Sequence, residues 1–292
     1  MTVLERRYRW LLRCYPRAYR TAHGGELLDL LLDSARPGRR VPEAREVVGL
    51  VSGGLQARVH ELARGNPWWD GMHLGVTAIM AANTAALLPY FGSLPIWVVM
   101  SLAALLAILR GRTLLALPLV VATGAKATTI AAGGQLFELT LIPVYPDLLT
   151  DRALYSTTSP FAVAAGYILV AASLLVLRGV RQPRSVWWLA ALPLVAWSGP
   201  EWISEGGESF PLSLNRLVLE AALIALGAWA GHVSRDPRWA LGSALYLLVF
   251  STEMAQHLDF LSRQHLAYWG LLTFVTVAAA ALPYRYRRHP LD

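Results

Sequence analysis

From Asp70 onward the chain is a succession of apolar runs with almost no charge inside them. They fall at roughly 71–90, 94–109, 113–132, 160–177, 186–203, 214–232, 239–256 and 266–283. A helix that crosses the hydrocarbon core needs about 20 mostly apolar residues, with a range near 17–25, and most of these runs meet that length. The run at 94–109 is short, and Gly199-Pro200-Glu201 interrupts the end of the fifth. Only 15% of the 292 residues are charged, against about 25% in an ordinary soluble domain. A purely soluble fold is therefore excluded, and so is a disordered chain. The expected class is all-α: a polytopic membrane protein of about eight helices over residues 70–284.

The placement of arginine orients such a bundle. With the N-terminus in the cytoplasm, the inner loops and tail hold Arg110, Arg112, Arg178, Arg181, Arg184, Arg235, Arg238, Arg285, Arg287 and Arg288, and the outer loops hold only Arg152 and Arg263. This asymmetry follows the positive-inside rule, demands an even number of crossings and favours eight over seven. Trp68, Trp69, Trp187, Trp188, Trp229 and Trp239 fall at inner ends, with Trp97, Trp202 and Trp269 at or near outer ones, as interfacial belts require. The outer loops are acidic, with Glu138, Asp147, Asp151, Glu201, Glu205, Glu208 and Asp259. The expected location is the inner (plasma) membrane, with both termini cytoplasmic and residues 285–292 as a short basic tail. The net charge of +7 is then mainly an orientation signal.

Residues 1–69 differ from the rest. Twelve arginines stand against seven acidic residues, and no run is long and apolar enough to cross a bilayer. The start lacks the apolar region and cleavage site of a secretory signal, so a small cytoplasmic domain is expected. Its pattern is helical: Leu4, Tyr8, Leu11 and Tyr15 recur at spacings of four, three and four. Pro16 breaks the first helix and starts a second, which carries Leu27, Leu28, Leu31 and Leu32 and ends near Asp33–Ser34. Residues 35–42 read as a loop, and Ala44 to Leu62 as a third amphipathic helix.

Within this domain Leu11, Leu12, Tyr15, Pro16, Arg17, Tyr19, Arg20, Gly24 and Glu26 form a pattern. It resembles the HAAS-type and permease-prefix helical domains that head many multi-pass membrane proteins of high-GC bacteria and are often encoded beside PadR-type regulators. The resemblance covers about the first 65 residues and none of the spans. It implies a regulatory or partner-binding role and brings no catalytic residues. Tyr15, Arg17, Tyr19, Arg20 and Glu26 are the candidate partner-binding residues. The arginines also suit anionic lipid. Binding to nucleic acid is not expected, because Glu26, Asp29 and Asp33 share the second helix and repel phosphate.

Ionisable groups inside spans are costly and draw a functional hypothesis by default. Lys126 and Glu220 lie thirteen and twelve residues from the inner ends of their runs, roughly 20 and 18 Å at the helical rise. They are expected at one level of the outer half, either as a structural ion pair or as a polar ligand pocket with Arg216, which lies four residues before Glu220. Glu253 and His257 are also four apart, a spacing that can bind zinc or relay a proton. No HExxH motif supplies a third ligand, so neither a metal nor any other cofactor is expected. One cysteine, Cys14, leaves no disulfide framework. The apolar stretch Leu136–Leu149, in the longest outer loop, is expected to lie on the membrane or cover a cavity.

The expected function is that of a non-enzymatic regulatory or sensor component whose N-terminal domain docks a cytoplasmic partner, a regulator or an ATPase. The alternative is a small-molecule transporter, or the membrane subunit of an exporter, using a polar pocket in the outer half of the membrane.

Overall fold

The computed structural model describes the chain apart from Met1, Pro37, Glu138, Arg181, Gln182 and residues 198–200, 204–211 and 286–292. Glu138, Glu205, Glu208, Arg181, Arg287 and Arg288, named above for their charge, therefore lie outside the described residues. So does the basic tail beyond Arg285. The chain divides into two compact units, Met1–Gly65 with His232–Asp236, and Asn66–Gly231 with Pro237–Asp292.

In the first unit three helices share one apolar core. Helix α1 spans Val3–Leu11, α2 Arg17–Asp33 and α3 Ala44–Leu62. Thr2 starts α1 through a capping box: its hydroxyl accepts from the Glu5 amide at 3.1 Å, and its own amide donates to the Glu5 carboxylate at 3.2 Å. Leu4, Tyr8 and Leu11 are buried on one face of α1, as their spacing requires, and meet Leu12, Tyr15, Leu28 and Leu50. The first helix stops earlier than its periodicity suggests. Leu12–Cys14 tighten into a 3₁₀ turn, and Tyr15 is already extended because it precedes Pro16. Arg58 of α3 donates to the carbonyls of Arg13 and Cys14, satisfying acceptors that the broken helix leaves open. Tyr15 fits against α3 because residue 53 is glycine: a Cβ there would lie 2.5 Å from the tyrosine oxygen.

The second unit is helical and is built by proline and cap signals. Asn66 accepts from the amides of Trp68 and Trp69 at 2.9 and 3.5 Å and opens α4, Pro67–Leu87, with proline in the first turn. Pro95 opens α5, Pro95–Leu109, which is followed by α6, Thr113–Ala131. Ser159-Pro160 opens α7, Pro160–Val176. After a short α8, Leu192–Ala196, come α9, Leu214–Ser234, α10, Arg238–Gln256, and α11, Arg263–Arg285. Val76, Ile79, Leu105, Ile108, Val120, Val170 and Leu174 form the main core between α4 and α7. Ile224, Phe250, Met254, Tyr268 and Leu272 form another among α9, α10 and α11. Large apolar side chains such as Leu115, Ile168, Leu226 and Phe274 point outward from the same helices. Helices apolar on every side are those of a bilayer.

Small residues let two of these helices approach closely. Gly71 and Gly75, one turn apart on α4, face α10. A Cβ on Gly71 would lie 2.7 Å from the Arg238 carbonyl, and one on Gly75 2.7 Å from Leu245. Gly242 of α10 meets Leu74 in the same way, at 2.9 Å. This is the small-xxx-small contact by which membrane helices associate without a hydrophobic drive.

Among the described residues, four helical segments are long and apolar enough to cross a membrane: Pro67–Tyr90, Thr113–Ala131, Leu214–Ser234 and Arg263–Pro283. The finer pattern differs from the sequence expectation in three places. The fifth run does not make a spanning helix: Val186–Ala191 is 3₁₀, α8 has five residues, and Glu201–Ile203 then pairs antiparallel with Leu212–Ser213. Pro193 lacks the amide and the room to continue the helix before it. The eleven helical residues reach roughly 20 Å, short of the ~30 Å hydrocarbon core. Helices α5 and α7 are also short, at 15 and 17 residues. Finally, the boundary between the units falls at Gly65–Asn66 and not at residue 69, because the Asn66 cap draws Trp68, Trp69 and Asp70 into α4.

Candidate functional site

Three of the five expected ligand-binding residues meet at one end of the second unit. Glu220 of α9 is buried, and three donors converge on its carboxylate: Arg216 Nε at 2.9 Å, the Tyr246 hydroxyl at 2.7 Å and the Tyr268 hydroxyl. Arg216 also reaches Glu253 at 3.7 Å and lies 5.8 Å from the centre of the Phe250 ring. Glu253 accepts from the Thr158 hydroxyl at 3.5 Å. The cluster joins α9, α10, α11 and the start of α7. It holds one guanidinium against two carboxylates, and the Arg216 side chain remains 45% exposed. A buried carboxylate with this many donors is fully satisfied, so the geometry first explains how these helix ends are tied. The tyrosines were not foreseen, since an aromatic residue in an apolar run reads as core.

Lys126 does not join this group, which corrects the expected pocket. Its ammonium donates to the Leu136 carbonyl and the Thr140 hydroxyl, both at 2.9 Å, and lies 5.5 Å from the centre of the Trp97 ring. Equal depth along two helices does not make two residues neighbours, and the segment just after α6 supplies nearer acceptors. His257 caps the C-terminal end of α10. Its Nδ1 donates to the backbone carbonyl of Glu253 at 2.9 Å, so the pair forms a helix end and not a ligand set. Among the described residues, no group of three His, Cys, Asp or Glu side chains is placed to hold a metal ion.

The opposite end of the second unit carries a polar cluster that sequence reasoning missed. Asp70 in the first turn of α4 takes Arg184 on one oxygen at 2.6 Å and Arg238 on the other at 2.8 Å. Arg184 also donates to the Asp70 carbonyl at 2.7 Å and, through Nε, to His73 Nδ1 at 2.9 Å. With Nδ1 accepting, His73 Nε2 donates to the Ile108 carbonyl at 3.0 Å. The Arg184 amide donates to the Leu109 carbonyl at 2.7 Å. The start of α4, the end of α5, the segment after α7 and the start of α10 therefore share one end. Arg238 is fully buried there. The only signal for this arrangement was arginine at successive loops, which had been read as orientation alone.

In the first unit the expected partner-binding residues divide. Tyr15 is buried and stacks on Tyr19 at 5.0 Å between ring centres, and Tyr19 continues to His23. His23 lies 3.7 Å from Glu26. Arg17 is exposed. Arg20 lines a shallow groove of about 310 Å³ with Arg9, Leu12, Gly24, Gly25 and Leu28. A larger groove of about 490 Å³ lies between α1 and the loop before α3, lined by Arg6, Arg7, Trp10, Leu11, Val41, Pro42 and Val47. Its Trp10 is 64% exposed. Glu46, next to Val47 of its lining, accepts from Tyr8 at 2.7 Å and from Arg39 at 3.1 Å. Burial, and then the bond to Glu46, push the Tyr8 hydroxyl up to about 12. The same bond holds the Glu46 carboxyl below its ordinary range.

Compared with known proteins, the chain matches no family model, and no curated protein or solved structure matches it.

Proposed function

We propose that the protein is a non-enzymatic regulatory or sensor component of the inner membrane whose N-terminal unit docks an acidic cytoplasmic protein. The observation that carries this reading is the groove along α1. It combines an exposed tryptophan with two arginines in the way that protein interfaces concentrate binding energy. Residues 1–69 hold twelve arginines against seven acids, which favours an acidic partner by charge complementarity. The resemblance of residues 10–33 to HAAS-type domains points the same way.

The membrane part, in this reading, crosses eight times with both termini cytoplasmic. Support comes from the Asp70 cluster, where α4 and α10 begin at the end where α5 finishes. The chain must then return to the opposite end between Arg184 and Leu214, with α8 on the way. The transporter alternative keeps Arg216, Glu220 and Glu253 but loses Lys126, so the docking reading is the better supported.

The test is cross-linking in the expressing cell followed by purification of the full-length protein. Wild type is expected to recover a specific acidic protein. The Arg6→Glu, Arg7→Glu, Trp10→Ala variant is expected to lose it while still folding. Recovery of the same proteins by both would reject the groove, and recovery of none by wild type would reject the docking reading.

A further inference from the structure

The segment after α6 presents a second surface. Phe137, Leu139 and Leu141 are 83%, 96% and 91% exposed, an arrangement that water disfavours. The backbone that bears them is not helical, and it is tied down at Leu136 and Thr140. Lys126 donates to the Leu136 carbonyl and the Thr140 hydroxyl. The Gln135 side-chain amide donates to the Thr140 carbonyl at 2.5 Å and accepts from the Thr140 amide at 2.8 Å. Phe137 takes a φ of 63°, a conformation that a bulky residue rarely adopts, so the turn is held in place by its surroundings.

These features have one common explanation. Irregular backbone facing lipid does not occur within the hydrocarbon core, but apolar side chains on such backbone can enter the boundary between headgroups and acyl chains. A lysine near the end of a span pairs with backbone carbonyls there. The adjoining surface is apolar as well: Phe137 stacks on Trp97 of α5 at 6.0 Å, and Ile96 and Val99 beside Trp97 point outward. Helix α5 has 15 residues, about 22 Å at the helical rise, against the ~30 Å of the hydrocarbon core. Its first turn needs further apolar surface.

We propose that residues 135–141 form a lipid-inserted loop, with Phe137, Leu139 and Leu141 among acyl chains and Lys126 as the residue that holds the loop in position. The loop lies at the boundary between headgroups and acyl chains and not at the midplane, where irregular backbone facing lipid does not occur. Lys126 is thereby a positioning residue for the loop and not a ligand contact. This inference rests on the membrane-spanning reading of α6, and the experiment separates the two.

Full-length protein carrying Cys14→Ser receives a nitroxide at Leu139→Cys, Val121→Cys or Asp151→Cys and is reconstituted in phosphatidylcholine–phosphatidylglycerol vesicles. Collision with oxygen reports lipid, and collision with a water-soluble nickel chelate reports water. The labels at 139 and 121 are expected to favour oxygen severalfold more than the label at 151. Adding Lys126→Met or Gln135→Leu, whichever keeps the protein monodisperse, is expected to move the 139 label severalfold toward the 151 value. A water-like 139 label beside a lipid-like 121 label would overturn the loop proposal and leave the membrane reading standing. Water-like labels at both would reject the membrane reading itself. Spin–spin broadening at 139, or shielding there from both reagents, would mean that protein covers the loop and would overturn it. A lipid-like 139 label that neither variant moves would overturn the role given to Lys126.

Discussion

The two polar ends of the membrane unit are built from the same chemistry and differ in how firmly they close. At the Asp70 end, two arginines share one carboxylate, Arg238 is 0% exposed, and the partners lie 114 and 168 residues away in sequence. At the Glu220 end, two carboxylates share one arginine that is nearly half exposed, and two tyrosines complete the set. The first arrangement pins four distant parts of the chain and leaves its charges little exposed, Arg184 at 12% and Asp70 at 15%. The second ties three consecutive helices and leaves its cation reachable. Stability therefore concentrates at the first end, and room for change remains at the second.

Substitutions can break this contrast. Asp70→Asn leaves two arginines facing a neutral amide in a buried site. The expected cost is about 3–5 kcal/mol, as for removing one partner of a buried ion pair. It is read as loss of monodisperse protein on heating in detergent. Gly71→Ala places a Cβ 2.7 Å from the Arg238 carbonyl, where backbone cannot give way, and is expected to cost about 1–3 kcal/mol by the same assay. The contrasting substitution is Gly227→Ala on α9, whose Cβ would meet nothing nearer than 3.7 Å. It is expected to be neutral or to stabilise by about 0.5–1 kcal/mol, since alanine suits a helix interior better than glycine. Glu220→Gln keeps a partner for both tyrosines and loses the charge facing Arg216, so about 1–3 kcal/mol is expected, less than for Asp70→Asn. Equal losses at Asp70 and Glu220 would erase the distinction between the ends.

The smallest effect belongs to the N-terminal unit. Tyr8 is held protonated up to about 12, above the ordinary 10.0 of tyrosine. The folded form binds that proton more tightly than the unfolded one. Its contribution is therefore complete below about pH 10 and is lost as pH rises toward 12. Tyr8→Phe is expected to cost about 1 kcal/mol at neutral pH and to flatten the unit's stability between pH 10 and 12, followed by circular dichroism of the full chain.

Much of the helical framework was legible in the sequence because it rests on local signals. Pro16 marks the start of α2, and the 3.6 periodicity of Leu4, Tyr8 and Leu11 marks a core face. Asn66-Pro67 opens α4, but next to Gly65 the same residues read as the close of α3. Pro193 also carried its local meaning, but its segment was read by hydropathy, which does not register where a helix must break. The Asp70–Arg184–Arg238 cluster was illegible because nothing local links an aspartate to arginines more than a hundred residues away. For Lys126, depth was computable but azimuth was not, and azimuth decided its partners. The close approach at Gly71 and Gly75 depends on α10, a partner that nothing near them in sequence names.

The central claim is that the Asp70 end is cytoplasmic and the Glu220 end external. Cysteine labelling in the Cys14→Ser background tests it most directly, with Arg110→Cys at the first end and Asp151→Cys at the second. With a membrane-impermeant maleimide on intact spheroplasts, Asp151→Cys is expected to react at once and Arg110→Cys only after permeabilisation. Labelling of both positions before permeabilisation, or of Arg110→Cys alone, would contradict the account.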